Sequence, residues 1–312
     1  MSPAQANQPL PSGFALEGYR IERQLSLGGF SIVYLATDPH GKTVAIKEYL
    51  PNSLALRAGE NPSPVISPVH RRVFDHGLSC FFEEGQALTL LDHPNVVRVI
   101  DFIRANGTAY LVMRYEHGHT LLEHIHKHPK GFDENFIRWV FSRLLGGLRA
   151  VHSHRLLHLD LKPANIYLRL NGSPVLLDFG AARQVIGNDA PLLRAMRTPG
   201  YAAPEQGGPR EGLGPWTDIY AVGATLYTCL GGDTPPAAED RLVEDKCVPA
   251  GQRWAGQYSQ ELLQTVDACM ALDPLARPQS VHALQKLLDS EERSFAGALD
   301  KLRVRVRKWW RR

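Results

Sequence analysis

The stretch His-Leu-Asp-Leu-Lys-Pro-Ala-Asn occupies residues 158–165. It brings a carboxylate, Asp160, a cation, Lys162, and an amide, Asn165, into one short loop. A second carboxylate, Asp178, follows in Leu-Asp-Phe-Gly. Such a set can place a proton acceptor, a positive charge and oxygen ligands for a metal ion around a phosphate. Phosphoryl transfer requires these groups, because it depends on positioning and on neutralising the charge of the moving phosphoryl group.

Upstream, alternating apolar residues predict strands over 19–25, 32–37 and 44–47. The first two strands are separated by residues 26–31, Ser-Leu-Gly-Gly-Phe-Ser. A glycine-bearing turn of this kind can lay backbone N–H groups over a phosphate, although a Gly-Gly pair between strands is also an ordinary hairpin turn. The third strand ends in Lys47, a cation that can reach a phosphate held by the turn.

A helix and two further strands complete the N-terminal half of the pattern. Residues 81–91 have helical spacing and include Glu84, which we interpret as the carboxylate partner of Lys47. Residues 96–102 and 109–113 are predicted strands, so that five strands are expected in this half.

In combination these motifs resemble the eukaryotic-like (Hanks-type) bacterial serine/threonine protein kinases, over residues 18–288. The resemblance implies an α+β, bilobal protein-kinase fold with a small β-rich N-lobe, 18–113, and a larger helical C-lobe, 117–288. It implies ATP as cofactor, Mg²⁺ or Mn²⁺ as the metal ion, and Ser or Thr residues of proteins as substrates, with autophosphorylation. The spacing Asp-x-Lys-x-x-Asn in residues 160–165 is the Ser/Thr form of the motif.

The resemblance also implies a role for each motif residue. Asp160, Lys162 and Asn165 would be catalytic, and Asn165 and Asp178 would hold the metal ion. The nucleotide would contact the glycine-bearing turn, the strands beside it and the connection between the lobes. The expected ATP-binding residues are Leu25, Ser26, Leu27, Gly28, Gly29, Phe30, Ser31, Val33, Ala45, Lys47, Glu84, Met113 and Tyr115.

Other motif residues would be structural. Thr198 would touch the catalytic carboxylate and lysine, and Glu205 would pair with Arg277. Asp218 would cap the buried helix 219–230 and brace the backbone of the catalytic loop. The expected structural residues are His158, Phe179, Thr198, Glu205, Asp218 and Arg277.

Three positions depart from the family pattern. Ser26 and Ser31 stand where it has glycines, and Leu159 replaces the arginine that binds a phosphate on the activation loop. Residues 181–197 contain no Ser, Thr or Tyr, so both parts of that switch are missing, and we expect activity without activation-loop phosphorylation. The departures also motivate an alternative, a pseudokinase that acts as an ATP-binding scaffold. A small-molecule kinase is a second alternative, which the peptide-docking segment Ala-Pro-Glu at 203–205 disfavours.

Two segments near the N-terminus show little periodicity. Residues 1–17 are rich in polar residues and proline and are expected to be disordered. Residues 49–76 contain four prolines and are expected to form an inserted, extended loop. This insertion is interpreted either as a docking surface or brake on the following helix, or as a passive surface loop.

The C-terminal tail, 289–312, concentrates the basic charge. The chain has a net charge of +3, while residues 301–312 carry seven Lys or Arg and no acidic residue, so the remainder is mildly acidic. Nucleic-acid binding is therefore not expected. Residues 295–312 have the spacing of a basic amphipathic helix that could contact an anionic membrane surface or an acidic partner. A helix docked on the large lobe, or a strand, would also fit this pattern.

Other features concern location and metals. The four cysteines form no Cys-x-x-Cys pair, and the longest apolar run, 219–230, is too short to span a membrane. We therefore expect a cytoplasmic protein with no transmembrane span, which the tail could hold at the inner membrane face. His124 and His128 are four residues apart, so a metal site is an alternative to ordinary surface histidines there.

Overall fold

The structure of the protein is a computed structural model that describes residues 7–59, 61–178, 197–209 and 212–289. These residues form two compact units, which we describe separately. The first unit contains residues up to 92 together with 97–116, and the second contains 93–96 and the described residues from 117 onward. Phe179, most of the segment 181–197 and residues 290–312 of the predicted tail lie outside the described residues.

Eleven strands and eight helices are assigned in the described residues. The strands are β1 (Ala15–Leu16), β2 (Tyr19–Leu27), β3 (Ser31–Thr37), β4 (Thr43–Tyr49), β5 (Ala55–Leu56), β6 (Val65–Ile66), β7 (Val99–Ala105), β8 (Thr108–Arg114), β9 (Gly118–Thr120), β10 (Ile166–Arg169) and β11 (Pro174–Leu176). The helices are α1 (Arg71–Thr89), α2 (Leu121–Lys127), α3 (Glu134–Ser153), α4 (Pro215–Gly231), α5 (Ala238–Val243), α6 (Ala250–Arg253), α7 (Gln260–Cys269) and α8 (Val281–Asp289).

The first unit is built on a six-stranded antiparallel sheet with the order β1-β2-β3-β4-β8-β7. Strand β3 alternates between half-buried and buried residues, as expected for a pleated strand. Strand β4 lies at the centre, with Lys47 opposite Val33 on one side and Leu111 on the other. The central position fixes the backbone of Lys47 by hydrogen bonds to two neighbouring strands.

Helix α1 packs on this sheet through a buried apolar stripe that includes Phe74, Phe81 and Leu88. Two glycines allow the close approach, since a Cβ at Gly77 would overlap the Tyr49 hydroxyl and one at Gly85 would overlap the ring of Phe102. The helix begins ten residues before the predicted start at residue 81. Its first two turns contribute only Phe74 and Leu78 to the buried apolar stripe, among polar residues and a glycine, which is why the sequence pattern did not predict them.

The predicted loop over 49–76 is therefore partly wrong. Helix α1 already begins at Arg71, and strands β5 and β6 pair as a short antiparallel hairpin. The other described residues between β4 and α1 lack regular secondary structure, consistent with the prolines at 51, 62, 64 and 68.

The prediction of disorder over residues 1–17 is also wrong where the structure describes the chain. Asn7, Leu10 and Leu16 are each at most 3% exposed. Strand β1 pairs with β2, and the amide of Gln8 donates to the carbonyl of Arg57 at 3.1 Å. This segment is ordered because its hydrogen bonds reach residues distant in sequence, which composition cannot reveal.

The second unit is mainly helical and is centred on α4, in which fourteen residues from Thr217 to Leu230 are buried. The predicted end of this helix is confirmed, since Gly232 takes a φ of 84° and its amide donates to the carbonyl of Thr228. The predicted capping role of Asp218 is wrong. The N-cap is Gly214, whose amide donates to Thr217 Oγ1 at 3.2 Å, because the helix begins one turn earlier.

Strands β9, β10 and β11 form a small antiparallel sheet beside α2 and α3 in the same unit. All four cysteines are free thiols. No helix within the described ranges is long and apolar enough to cross a membrane.

Candidate active site

In the first unit, four of the predicted ATP-binding residues share one region of the sheet. Val33 lies opposite Lys47, and Met113 lies opposite Ala45, on three adjacent strands. Val33, Ala45 and Met113 are half-buried, whereas Lys47 is only 6% exposed. The pleat places residues two apart on one face, so that Ala45 and Lys47 present the same face of β4.

The glycine turn, which we define as residues 26–31, joins β2 to β3. Its tip is closed by a hydrogen bond from the Gly28 amide to the Ser31 carbonyl at 2.9 Å. Gly28 and Gly29 are exposed, and a Cβ at Gly29 would meet nothing within 4 Å. The Gly29 N–H group therefore lies at the surface, where a phosphate could be bound, whereas the Gly28 N–H group is bonded to Ser31.

The tip of the glycine turn is also held by two residues that follow β4. The Leu50 amide donates to the Phe30 carbonyl at 2.9 Å, and the Asn52 amide donates to the Gly29 carbonyl at 2.8 Å. The other predicted turn residues follow from this hairpin, with Ser26 opposite Val33 and Leu27 opposite Ile32. Leu25 is half-buried in β2.

The predicted partner of Lys47 is on helix α1. Glu84 is 7% exposed and lies on the buried stripe of the helix that packs on the sheet. Glu83, its neighbour, is exposed. The ion pair between Lys47 and Glu84 stays a prediction. Tyr115, the predicted connection residue, is half-buried directly after β8.

In the second unit, the predicted catalytic residues form one hydrogen-bonded network, which we call the catalytic network (Asp160, Lys162, Asn165 and Thr198). Lys162 Nζ lies 2.8 Å from Asp160 Oδ2 and 2.8 Å from Thr198 Oγ1. The Thr198 hydroxyl donates to Asp160 Oδ1 at 2.7 Å. Asn165 Nδ2 donates to the Asp160 carbonyl at 2.8 Å and to its carboxylate at 3.0 Å.

The side chains of Asp160 and Lys162 remain in contact with solvent, at 19% and 24% exposed. A carboxylate and an ammonium group that are partly open in this way can still meet a substrate. The short 3₁₀ turn Pro163–Asn165 brings the Asn165 side chain back toward Asp160. The loop therefore concentrates one carboxylate, one cation and one amide at a single point.

The backbone of this loop is held by Asp218, which is fully buried on α4. Its two oxygens accept the amides of His158 at 2.8 Å and Leu159 at 2.7 Å. His152 Nε2, on α3, lies 2.7 Å from the same carboxylate. Burial raises the pKa of Asp218, but the hydrogen bonds and charges of His152 and His158 outweigh this and hold the pKa below its usual value. Asp218 is thus a buried anion that accepts hydrogen bonds.

Leu159 shows how tightly this loop is held. It takes a φ of 60°, which is uncommon for a residue other than glycine, and its side chain is 5% exposed. Its amide is bound by Asp218, and its carbonyl accepts a hydrogen bond from Gln206 Nε2 at 2.8 Å. The sequence prediction missed Gln206 and His152. The spacing of His152, six residues before His158, is the only signal that could have suggested it.

The other predicted structural residues are placed as follows. His158 Nε2 lies 2.9 Å from the carbonyl of Leu177, one residue before Asp178. Glu205 pairs with Arg277 through two hydrogen bonds, at 2.7 and 3.1 Å. The Arg277 side chain is fully buried, so this pair fixes the segment after Thr198 to the helical part of the unit.

The residues that would hold a divalent ion are Asn165 and Asp178. The Leu177 amide donates to the Asn165 carbonyl at 2.9 Å, which keeps the two segments adjacent. Because the Asn165 amide nitrogen is bound to Asp160, its side-chain oxygen is the atom available to a metal ion. Carboxylate and amide oxygens are the ligands that Mg²⁺ and Mn²⁺ prefer, so the donor set fits.

The sequence placed the alternative metal site at His124 and His128. No group of three or more His, Cys, Asp or Glu residues suited to a metal ion is present in the part of the chain that the structure describes. The His128 ring instead hydrogen-bonds the carbonyl of His124 at 2.9 Å.

Comparison with known proteins places this site in a family. The family described as protein kinase domain matches residues 19–288. The chain is 29% identical over 299 residues to serine/threonine-protein kinase pkn2 of Myxococcus xanthus, covering 89% of this chain and 33% of that protein. It is 28% identical over 282 residues to serine/threonine-protein kinase C of Synechocystis sp., covering 86% of this chain and 49% of that protein. The chain thus spans a third to a half of the length of these two relatives.

Solved structures agree with the family match. The apo form of PpkA-294 has a TM-score of 0.81 and 38% identity, covering 90% of this chain and 99% of that chain. The PknI kinase domain of Mycobacterium tuberculosis has a TM-score of 0.64 at 21% identity, covering 91% of this chain and 99% of that chain, and shows a shared fold. The predicted resemblance to Hanks-type bacterial kinases and the protein-kinase fold are confirmed. The chain belongs to the protein kinase family.

Proposed function

We propose that the protein is a serine/threonine protein kinase, which transfers the γ-phosphoryl group of ATP to Ser or Thr residues of proteins, including its own. The observation that carries this proposal is the catalytic network, in which Lys162 lies 2.8 Å from both Asp160 and Thr198. The two bacterial relatives are themselves named as serine/threonine kinases, which supports the choice of acceptor residue.

Each member of the catalytic network has a chemical role. Asp160 orients the attacking hydroxyl and accepts its proton, since it is a partly exposed carboxylate. Lys162 neutralises charge that develops on the transferred phosphoryl group. Asn165 and Asp178 hold a divalent ion, Mg²⁺ or Mn²⁺. When bound, that ion neutralises the phosphate oxygens of ATP.

The first unit binds the nucleotide. Backbone N–H groups of the glycine turn bind phosphate oxygens, and Lys47, oriented by Glu84, adds a positive charge. Val33, Ala45 and Met113 provide an apolar surface for the adenine ring, with Tyr115 following them in sequence. Ser26 and Ser31 retain small side chains, so that they leave the backbone of the turn accessible.

A protein substrate is favoured by the segment after Thr198. The buried pair of Glu205 with Arg277 gives residues 203–207 a defined conformation. A rigid segment at this position can align the backbone of a bound peptide. A kinase that acts on a small metabolite would have no use for it.

We further propose that activity does not depend on phosphorylation of the activation loop. At the position where the family has an arginine, Leu159 is an apolar, buried side chain that cannot bind a phosphate. The catalytic loop at Leu159 is instead held by Asp218 and Gln206, which are permanent parts of the fold. Treatment with a phosphatase, followed by mass spectrometry of residues 178–205, tests this. Loss of activity that accompanies loss of a phosphate in this segment would contradict it.

The main test uses labelled ATP and the purified full chain, wild type beside Asp160→Asn. We expect label on Ser or Thr residues with the wild type and none above background with the variant. Label in neither, with ATP still bound by calorimetry, would favour the scaffold alternative. Transfer to metabolites in a cell extract, but to no protein, would favour the small-molecule alternative.

We also propose a cytoplasmic location, in which residues 295–312 attach the chain to an anionic membrane surface at its inner face. The support is the concentration of seven basic side chains in 301–312. Flotation with vesicles containing phosphatidylserine should recover the full chain but not a variant in which these seven residues are neutral. Equal recovery of both would exclude the membrane, and capture by an acidic protein alone would favour that partner.

A further inference from the structure

Residues 7–10, which we call the N-terminal strap, close over one side of the first unit. The strap carbonyl of Gln8 accepts a hydrogen bond from Arg57 Nε at 2.8 Å, and its side chain accepts the amide of Gly59 at 2.9 Å. The amide of Leu10 donates to the Tyr34 hydroxyl at 3.1 Å. The strap is therefore bonded to the sheet and to the segment that follows β4.

Asn7 makes the most specific contacts of the strap. Its side chain is 2% exposed, and its Nδ2 donates to Asn52 Oδ1 at 2.7 Å and to the Ala55 carbonyl at 3.1 Å. Its Oδ1 accepts the amide of Arg57 at 2.5 Å. All the hydrogen-bonding atoms of this amide side chain are thus directed at residues 52–57. A buried amide in this position orders the segment that it contacts.

Beside the strap lies a buried ionic group, which we call the strap network (Glu48, Arg57 and Tyr34). The guanidinium of Arg57 binds the Glu48 carboxylate through two bonds, at 2.5 and 2.7 Å. The Tyr34 hydroxyl donates to the same carboxylate at 2.7 Å. Burial acts to lower the pKa of Arg57, but the bonds to Glu48 outweigh this and raise it, so Arg57 stays charged. The strap contacts this pair through the bond from Arg57 Nε to the Gln8 carbonyl.

These contacts lead directly to the glycine turn. The side chain of Asn52 accepts the bond from Asn7, and the backbone amide of Asn52 donates to the carbonyl of Gly29 at the tip of the turn. Glu48, which accepts the bonds from Arg57, is the residue after Lys47 in β4. The chain from residues 50 to 57 is therefore held at both ends, by the turn and by the strap.

We propose that Asn7 is a positioning residue for ATP, because it orders Asn52 and thereby sets the conformation of the glycine turn before the nucleotide binds. This rests on the proposed function, in which the turn binds the phosphates of ATP. A turn that is already ordered loses less conformational entropy on binding. The strap thus raises the affinity for ATP without touching the nucleotide.

The test compares Asn7→Ala and Asn52→Ala with wild type, in the full chain and at a temperature where circular dichroism shows each variant folded. We expect the KM for ATP to rise about tenfold in each, the factor for ordering one turn residue on binding. The kcat at saturating ATP should fall less than about threefold. Asn61→Ala is the matched control, since Asn61 is exposed and accepts only the local amide of Ser63.

Asn52→Ala keeps the test decisive if Asn7→Ala fails to fold. Asn52 is exposed, and its backbone bond to Gly29 does not need the side chain, so this variant should fold. The double variant should raise the KM no further than either single change, since the two side chains act through one bond. A KM for ATP equal to wild type in Asn52→Ala, or in a folded Asn7→Ala, would overturn the inference and leave Asn7 with a role in stability alone.

Lys47→Met separates this result from failure of the proposed function. Inactive Lys47→Met beside a wild-type KM in Asn7→Ala would overturn only the inference. Full activity in Lys47→Met would overturn the proposed nucleotide site itself, and the inference with it.

Discussion

The catalytic network of the second unit and the strap network of the first are both built from charged and hydroxyl groups, yet they differ in burial. Asp160 and Lys162 are 19% and 24% exposed, whereas Glu48 and Arg57 are 0% and 2% exposed. An exposed ion pair contributes little to stability, because water and salt screen it. A buried pair is costly to break, because its surviving partner is left as an unpaired charge.

This difference in burial distinguishes groups that can take part in the reaction from groups that stabilise the fold. The partly exposed charges of the catalytic network can exchange their mutual contacts for contacts with a substrate. The strap network cannot do so, and its effect on the reaction has to pass through the backbone of β4 and the glycine turn. Substitutions in the two networks should therefore have opposite signatures, one in activity and the other in stability.

The largest effect is expected for Asp160→Asn. The rate of phosphoryl transfer should fall by about 10²- to 10⁴-fold, the usual contribution of a general base. The melting temperature should change by less than about 2 °C, because the residue is partly exposed and Asn still accepts hydrogen bonds. Rate assays and thermal unfolding of the same preparation measure both. A large drop in melting temperature would show that the catalytic network also holds the fold.

Arg57→Met should have the opposite signature. The free energy of unfolding should fall by about 3–5 kcal/mol, because the Glu48 carboxylate is left buried without its cation. The double change Glu48→Met with Arg57→Met should recover most of this loss, since apolar pairs can replace a buried ion pair. Urea unfolding measures each value.

Arg71→Met is the matched control for this comparison, because Arg71 pairs with Asp75 on α1 while 60% exposed. It should change stability by less than about 0.5 kcal/mol. Equal losses from Arg57→Met and Arg71→Met would refute the claim that burial decides the outcome.

A smaller effect is expected where the sheet meets helix α1. Gly77→Ala should destabilise the protein by about 1–3 kcal/mol, because the new methyl overlaps the buried Tyr49 hydroxyl. Gly146→Ala, in α3, should instead stabilise it by about 0.5–1 kcal/mol, since its nearest neighbour is the His93 ring at 3.6 Å. Denaturant midpoints compare the two, and a gain in both would show that α1 can shift.

The smallest effect is expected in the dependence of stability on acidic pH. Burial, with the charges of His119, Lys127 and His128, lowers the pKa of His124 from 6.5 to about 4. Between pH 6.5 and 4, His124 therefore binds a proton in the unfolded chain but not in the folded chain. The free energy of unfolding falls as the pH drops through this range. His124→Asn should make urea midpoints at pH 7 and pH 5 more similar. His126→Asn, an exposed neighbour, should keep the wild-type difference, and identical slopes in all three proteins would contradict this account.

The catalytic loop could be predicted from the sequence because its chemistry requires particular residue types at short, fixed separations. Asp160, Lys162 and Asn165 lie within six residues, and each supplies a different group, a carboxylate, a cation and an amide. The long-range partners Thr198 and Glu205 were predicted through the family resemblance, and the structure places both beside their expected partners. Asp218 was assigned a cap that it does not make, because the start of a helix buried on all sides carries no periodic signal.

The strap could not be predicted. A polar, proline-containing N-terminus has the composition of a disordered segment, and its local sequence offers no apolar face. Its order comes from hydrogen bonds such as those of Asn7, which join residues about 50 positions apart. The Asn7 side chain can form these bonds only after β4 and the segment that follows it have brought Asn52 and Arg57 together.

By itself, the sequence therefore determined the family, the reacting groups and the missing arginine at Leu159, because each is a matter of residue identity and local spacing. Only the tertiary structure decided which polar residues are buried. It placed Glu48 and Arg57 in a buried pair, bound Leu159 between Asp218 and Gln206, and joined Asn7 of a nominally disordered N-terminus to Asn52. Burial depends on contacts between distant segments, and no local pattern encodes it.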